Sequence, residues 1–358
     1  IGLNVPPGFV ITTEACLDYL DGNELPKGLL DEVEEEVAKL EKATGRTFGK
    51  GPNPLLVSVR SGSALSMPGM MDTILNLGLN DETLAGEIAQ TGDPRFAYDA
   101  WRRFVQLFGK VAMGVPDELF DREFEGVKEQ AHVTEDVGLS AENLQEISER
   151  FLRIYQESTG HPFPEDPYEQ LEISIKAVFN SWMGKRAVDY RREFHITQDM
   201  ANGTAVNVMT MVFGNMGSDS ATGVGFTRNP GTGENLMYGE YLVNAQGEDV
   251  VAGIRTPKPI DALQQEMPEM YRQLQELRDR VAAARTELQL RTRLRREHEQ
   301  HGSRPTMDLR DALVPDDRRS LLRNVTLITL TALSSMLVGA VLPGDSDATD
   351  TSPKVTSA

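Results

Sequence analysis

The run LLVSVRSGSALSMPGMMDTILNLGLN, Leu55 to Asn80, decides how this chain is read. Its opening residues alternate with a period of two, which puts Val57 and Val59 on one face of a strand and Ser58 and Arg60 on the other. The strand therefore delivers Arg60 to its end, where a loop of Gly and Met follows. A guanidinium offers rigid paired donors that match phosphate oxygens, and Gly62 and Gly69 allow backbone N–H groups to approach an anion closely. The same residues also suit a plain structural use, a salt-bridged arginine above a plug of Met67, Met70 and Met71. Spacing alone leaves both readings open.

A second informative stretch runs from Thr204 to Pro259. AVNVMTMVFG, TGVGFTRNP, EYLVNAQG and DVVAGI are short apolar runs separated by Gly, Asn and Asp turns, which predicts an antiparallel sheet. Within it, Gly214 to Glu234 reads as two successive glycine-bearing hairpin turns, a pattern any β-meander can carry. Glu240, Glu248 and Asp249, with Gln246, are expected on the following strands, where they would hold Mg or orient a positive side chain. Solvated strand acids fit the same letters.

Before and between these stretches lie helical segments. Leu29, Val33, Val37 and Leu40 recur at helical spacing among acids, with Gly45 as the C-cap. From Pro94 to Arg192 apolar stripes run through Phe96, Ala100, Phe104, Leu107 and Phe108, and through Leu144, Ile147, Phe151 and Ile154. GRTFGKG, Gly45 to Gly51, is one residue short of a P-loop, has Gly51 where a magnesium-binding hydroxyl should stand and follows no strand, so it reads as a helix cap and turn. The five histidines are scattered, and none pairs with Cys16, the sole cysteine, in zinc-ligand spacing. No disulfide within the chain is possible, and a cytoplasmic setting is expected.

A net charge of -19 over 358 residues argues against a nucleic-acid partner, because phosphate backbones reward dense Lys and Arg surfaces. After Pro268 lysine disappears until Lys354 while arginine becomes frequent, which reads as a linker or as sequence of different origin. Val325 to Leu342 is an uncharged apolar run with a basic flank before it, at the short end of the roughly 17 to 25 residues that span a bilayer. A membrane helix, a buried helix and an adventitious tail all remain open for it.

Taken together, VPPGFVITTEAC, NPLLVSVRSGSALSMPGMMDTILNLGLND, RFAYDAWRRFVQLFG, AVFNSWMGKRAVDYRR, AVNVMTMVFGNMG, GVGFTRNPGTGE and GEYLVNAQGEDVVAGIRTP resemble the N-terminal nucleotide-binding domain of the pyruvate, phosphate dikinases over roughly Ile1 to Arg278. The resemblance implies an α+β fold: an ATP-grasp-like domain with a helical subdomain, followed here by an Arg-rich helical segment and an apolar C-terminal helix. The implied division is 1–93 and 198–278 for the ATP-grasp-like parts, 94–197 for the helical subdomain and 279–358 for an unrelated segment. It further implies transfer of the β-phosphoryl of ATP to a histidine on a swivelling domain, with phosphate as co-substrate, and then to pyruvate, giving phosphoenolpyruvate, AMP and pyrophosphate. Carried over by motif, Arg60 is the phosphate-clamping arginine, Gly69 and Met71 belong to its adjoining loop, and Thr222 with Gly223 forms the turn over the triphosphate. Glu240, Gln246, Glu248, Asp249 and Arg255 fall in the motif that follows. The two stretches are thus read as parts of one anion site.

There are departures from the family pattern. The chain opens after the family's Gly-Gly-Lys-Gly segment, so it looks clipped at its N-terminus. RVAAARTELQLRTRLRREHEQ stands where the family carries its Asp-x-Glu-Phe strand and a Leu-Gln-Thr-Arg strand, and DREF at Asp121 to Phe124 is a decoy in the helical block. Met209 replaces a usual Gln, and Asn180 a common Arg. The magnesium ligands of the family and its phosphohistidine and pyruvate domains are accordingly expected to be missing, leaving a catalytically incomplete ATP-binding fragment that makes no phosphoenolpyruvate alone. The competing readings are a non-catalytic nucleotide-binding module, tethered to a membrane through 325–342, and a relative of the water or glucan dikinases.

Overall fold

The computed structural model describes residues 5–65, 67, 69–252, 255–301, 327–332 and 355–357. The chain divides into two compact units, one built mainly from Pro6–Met211 and the other mainly from Val212–Pro343.

In the first unit, β1 (Gly8–Ile11), α1 (Thr13–Gly22) and α2 (Leu29–Thr44) lead to the short parallel pair β2 (Thr47–Phe48) and β3 (Pro54–Leu55). The predicted face of α2 is the one that is buried: Leu29, Val33, Val37 and Leu40 face inward. Gly45 ends the helix in the left-handed conformation, donating its N–H to Glu41 O. GRTFGKG begins with the helix cap at Gly45 as read, but its Thr47–Phe48 is the strand β2, paired with β3, rather than part of a turn; its Gly51 N–H donates to Glu82 Oε1 at 2.8 Å.

Then come β4 (Val57–Gly62) and β5 (Thr73–Leu77), followed by the helices α3 (Asp81–Thr91), α4 (Pro94–Met113), α5 (Asp117–Ala131), α6 (Ala141–Thr159), α7 (Pro167–Ser181) and α8 (Lys185–Glu193), and by β6 (Ala205–Thr210). α4 supplies the core. Phe96, Ala100, Phe104 and Phe108 are buried as their spacing predicts, and Phe104 and Phe108 meet Phe163 with ring centroids 5.4 and 5.2 Å away. On the other side of α4 the buried Asp99 carboxylate binds Arg102 and Arg103. DREF lies inside α5, in the helical block as read.

The sheet of this unit has the order β1, β6, β4, β5, with Val355–Ser357 added antiparallel on the outer edge of β1. AVNVMT, expected to lead the later meander, is instead β6, threaded between β1 and β4. The reason is register: Val206 and Val208 are fully buried on the face they share with Val59 and Phe9. Local pattern carries no information about that choice of neighbour.

The second unit holds β7 (Ala221–Phe226), β8 (Tyr238–Val243), α9 (Gly247–Ala252), β9 (Lys258–Pro259), α10 (Leu263–Glu266), α11 (Pro268–His301) and β10 (Leu327–Ala332). Its antiparallel sheet runs β10, β7, β8, β9. Ala221, Met237, Tyr241 and Ile260 pack against Leu263 and Leu274, so the first turns of α11 cover one face of the meander.

Three expectations are corrected here. Of DVVAGI, expected as a strand, residues 249–252 lie in α9, whose first turn is held by the side chain of Asp249, and residues 253–254 lie outside the described residues. Thr222 and Gly223 are not a turn but the interior of β7, opposite Leu242 and Tyr241; the turns that flank β7 lie at Gly217–Ser220 and Asn229–Glu234. Of the apolar run expected to be a helix, Leu327–Ala332 is β10, paired with β7 from Phe226 to Ala221. Its three β-branched residues, Ile328, Thr329 and Thr331, suit a pleated strand better than a helix. The remainder of 325–342 lies outside the described residues. Among the described residues no helix is long and apolar enough to cross a membrane.

Candidate functional site

In the first unit the site is built on β4. Val57 and Val59 are fully buried while Arg60 is exposed, so the alternation predicted for this strand holds, although Ser58 is also buried and donates weakly to Met209 O at 3.4 Å. Directly opposite Arg60 stand Thr73 on β5 and Asn207 on β6. Residues directly opposite across a sheet share a face, so these three form a polar row with the guanidinium in the middle. Neither Thr73 nor Asn207 is marked by its local sequence, since only the strand register brings them beside Arg60.

The connection from β4 to β5 carries the other two predicted residues of this unit. Gly69 has φ +69°, and a Cβ placed there would meet nothing within 4 Å among the described residues, so the backbone at this point is open to approach from them. A side chain there would be strained by φ rather than by crowding. The Met reading is also upheld: Met67 is buried with Trp182 and Ala201, and Met70 and Met71 pack against that cluster. Anchoring and exposure thus coexist in one loop, apolar side chains inward and glycine backbone outward. Arg191 stacks on Trp182 at 3.8 Å and donates to its carbonyl at 2.8 Å, which stiffens the platform beneath.

In the second unit the predicted residues gather around the ends of β7 and β8. Thr222 is 1% exposed, and its hydroxyl lies 3.8 Å from where a Cβ of Gly247 would stand. Gly223 permits close strand contact, because a Cβ there would come within 2.7 Å of Glu240 O. Asp249 is buried and accepts a hydrogen bond from the Gln246 N–H at 2.9 Å, capping α9 from its third residue. Arg255 donates to Val243 O at 3.1 Å and to Asn244 O at 3.0 Å, tying the residues after α9 back to the end of β8. Gln246 is 3% exposed, and neither its Oε1 nor its Nε2 has a hydrogen-bond partner among the described residues. A buried carboxamide without partners costs roughly 1 to 3 kcal/mol per unmet group.

Glu240 stands apart from this cluster, exposed on β8 opposite Val224 and Pro259. Glu248 is half-buried in the first turn of α9 rather than on a strand. Among the described residues no group of three or more His, Cys, Asp or Glu is placed to hold a metal ion. Cys16 is buried, and burial pushes its thiol up from its ordinary value.

The exposed strand arginine and its glycine loop in the first unit, and the Gly-bearing meander with its capped acidic turn in the second, belong to a mixed helix-and-sheet, α+β protein. Residues 25–315 match the family described as pyruvate phosphate dikinase, AMP/ATP-binding domain, and the chain belongs to that family. The match runs beyond Arg278, the rough limit of the resemblance read from the sequence.

The chain is similar to the pyruvate, phosphate dikinase of Entamoeba histolytica, with 57% identity over 284 residues, 78% of this chain and 32% of that protein. It is similar to the Clostridium symbiosum enzyme, with 51% identity over 279 residues, 77% of this chain and 32% of that one. It also resembles the chloroplastic pyruvate, phosphate dikinase 1 of Oryza sativa subsp. japonica, with 54% identity over 277 residues, 77% of this chain and 29% of that protein. The chain spans about a third of the length of the curated relatives it matches.

Proposed function

We propose that this chain is the ATP-grasp-like, ATP-binding module of a pyruvate, phosphate dikinase. In such an enzyme ATP, phosphate and pyruvate become AMP, pyrophosphate and phosphoenolpyruvate, with the β-phosphoryl carried on a histidine of a separate domain. The observation that carries the reading is the family match over 25–315, in a chain whose motif arginine stands exposed at the end of a buried strand. Arg60 is the phosphate contact, and the open backbone of Gly69 with Met71 completes its loop. Thr222, Gly223, Glu240, Gln246, Glu248, Asp249 and Arg255 are the nucleotide contacts of the second unit. The partnerless amide of Gln246 supports a polar ligand there, because a buried donor and acceptor are retained at a cost that a nucleotide would relieve.

A loose phosphoryl-transfer transition state asks the protein chiefly for positioning and charge neutralisation, which arginine and backbone amides supply. Magnesium enters as part of Mg-ATP, and no residue is assigned to it. Calorimetric titration of the full chain with Mg-ATP tests the reading. Saturable binding that Arg60→Ala weakens by at least about tenfold is expected, and a wild-type chain indifferent to Mg-ATP would end it.

A further inference from the structure

One cation of α8 reaches out to the glycine loop. Arg186 Nη2 lies 3.0 Å from Asp72 Oδ1, and its Nη1 donates to Gly69 O at 3.4 Å. Asp72 is the sole charged residue between Ser61 and Thr73. An unanswered carboxylate at that place would repel any polyanion approaching the open backbone of Gly69.

The loop is held from two sides. Its inner side is fixed by Met67, Met70 and Met71 against the Trp182 cluster, and by the Met70 N–H donating to Met67 O at 3.2 Å. Its outer side is met by Arg186, which binds one backbone carbonyl and one side chain of the same four-residue segment. A two-point contact of this kind fixes an orientation, where a single ion pair would leave the segment free to swing. The Arg186 side chain is itself 66% exposed, so the contact can be removed without opening the core.

We propose that Arg186 is a positioning residue: it latches the Gly69–Asp72 segment and cancels the charge of Asp72, so that the loop presents its backbone to a nucleotide phosphate. The nucleotide half of this inference rests on the function proposed above; the latch does not.

The experiment compares the full-length wild type with Arg186→Gln and with the charge swap Arg186→Asp/Asp72→Arg, by two readouts. In the ligand-free protein, hydrogen exchange at residues 69–72 should quicken about 3- to 5-fold in Arg186→Gln and return partway toward wild type in the swap, which restores the ion pair but not the donor to Gly69 O, with β4 and β5 unchanged; exposed ion pairs rarely give more. Mg-ATP affinity should fall by about 5-fold in Arg186→Gln and recover in part in the swap, at a constant melting temperature. Unchanged exchange at 69–72 would overturn the latch, and altered exchange with unaltered affinity would overturn the positioning role. If wild type binds no Mg-ATP, the nucleotide reading fails and exchange alone decides the latch.

Discussion

The carboxylate of Asp249 accepts a hydrogen bond from the backbone N–H of Gln246 at 2.9 Å, closing the first turn of α9 on itself. With this bond, the acid of the Gln-Gly-Glu-Asp run supports a turn rather than facing solvent from a strand. Removing a capping oxygen of this sort costs roughly 0.5 to 2 kcal/mol. Asp249→Ala is expected to lose about that much in urea unfolding of the second unit.

Arg60 is exposed, so its truncation leaves the core untouched. Hydrogen bonds to charged groups are each worth roughly 1.5 to 3 kcal/mol. Arg60→Ala should therefore weaken Mg-ATP binding by at least about tenfold in calorimetry while the melting temperature stays within about 1 °C. Arg60→Lys, which keeps the charge and loses the fork, should fall between the two.

Asp99 is buried on α4 between Arg102 and Arg103. Burial pushes its carboxyl up, but Arg103, Arg102 and Arg95 more than offset this and hold it below the usual carboxylate range. A depressed folded pKa stabilises above the unfolded pKa and is lost as pH falls through the folded one. Asp99→Ala leaves buried guanidinium charge uncompensated and is expected to destabilise the first unit by roughly 3 to 5 kcal/mol in denaturant titration at neutral pH. Part of that deficit should vanish at low pH, where wild type loses the same charge.

Glu87 in α3 shows the opposite sign. Burial raises its carboxyl from 4.5 to about 7, with Arg46 acting weakly against the shift. The folded state then holds a proton that the unfolded state releases above about pH 4.5, so stability declines from there through about pH 7. Glu87→Gln should remove this decline and raise stability at pH 8 by on the order of 2 kcal/mol, read as urea midpoints across pH. A wild-type midpoint that stays flat from pH 5 to 8 would contradict the assignment.

Much of the local structure was legible because it is periodic. Leu29, Val33, Val37 and Leu40 mark one face of α2 whatever it packs against, and Phe96 through Phe108 do the same for α4. The β4 strand and its exposed arginine were likewise readable from alternation. Six-residue runs were not: DVVAGI and the start of α9 differ by one capping hydrogen bond, and Thr222–Gly223 passed for a turn because Gly serves equally in a turn and in a tight strand crossing. Thr73 and Asn207 carry no mark of their own. They join Arg60 only because β4 lies between β5 and β6.

The amino-acid order by itself determined the family, the helical stripes and which strand residue is the exposed arginine, since periodicity and motif spacing are properties of neighbours along the chain. Tertiary structure alone decided which strands adjoin β4 and that Arg186 reaches Asp72 from a helix more than a hundred residues away. Those contacts depend on chain segments brought together by burial of apolar faces, and burial specifies that a face must be covered without naming what will cover it.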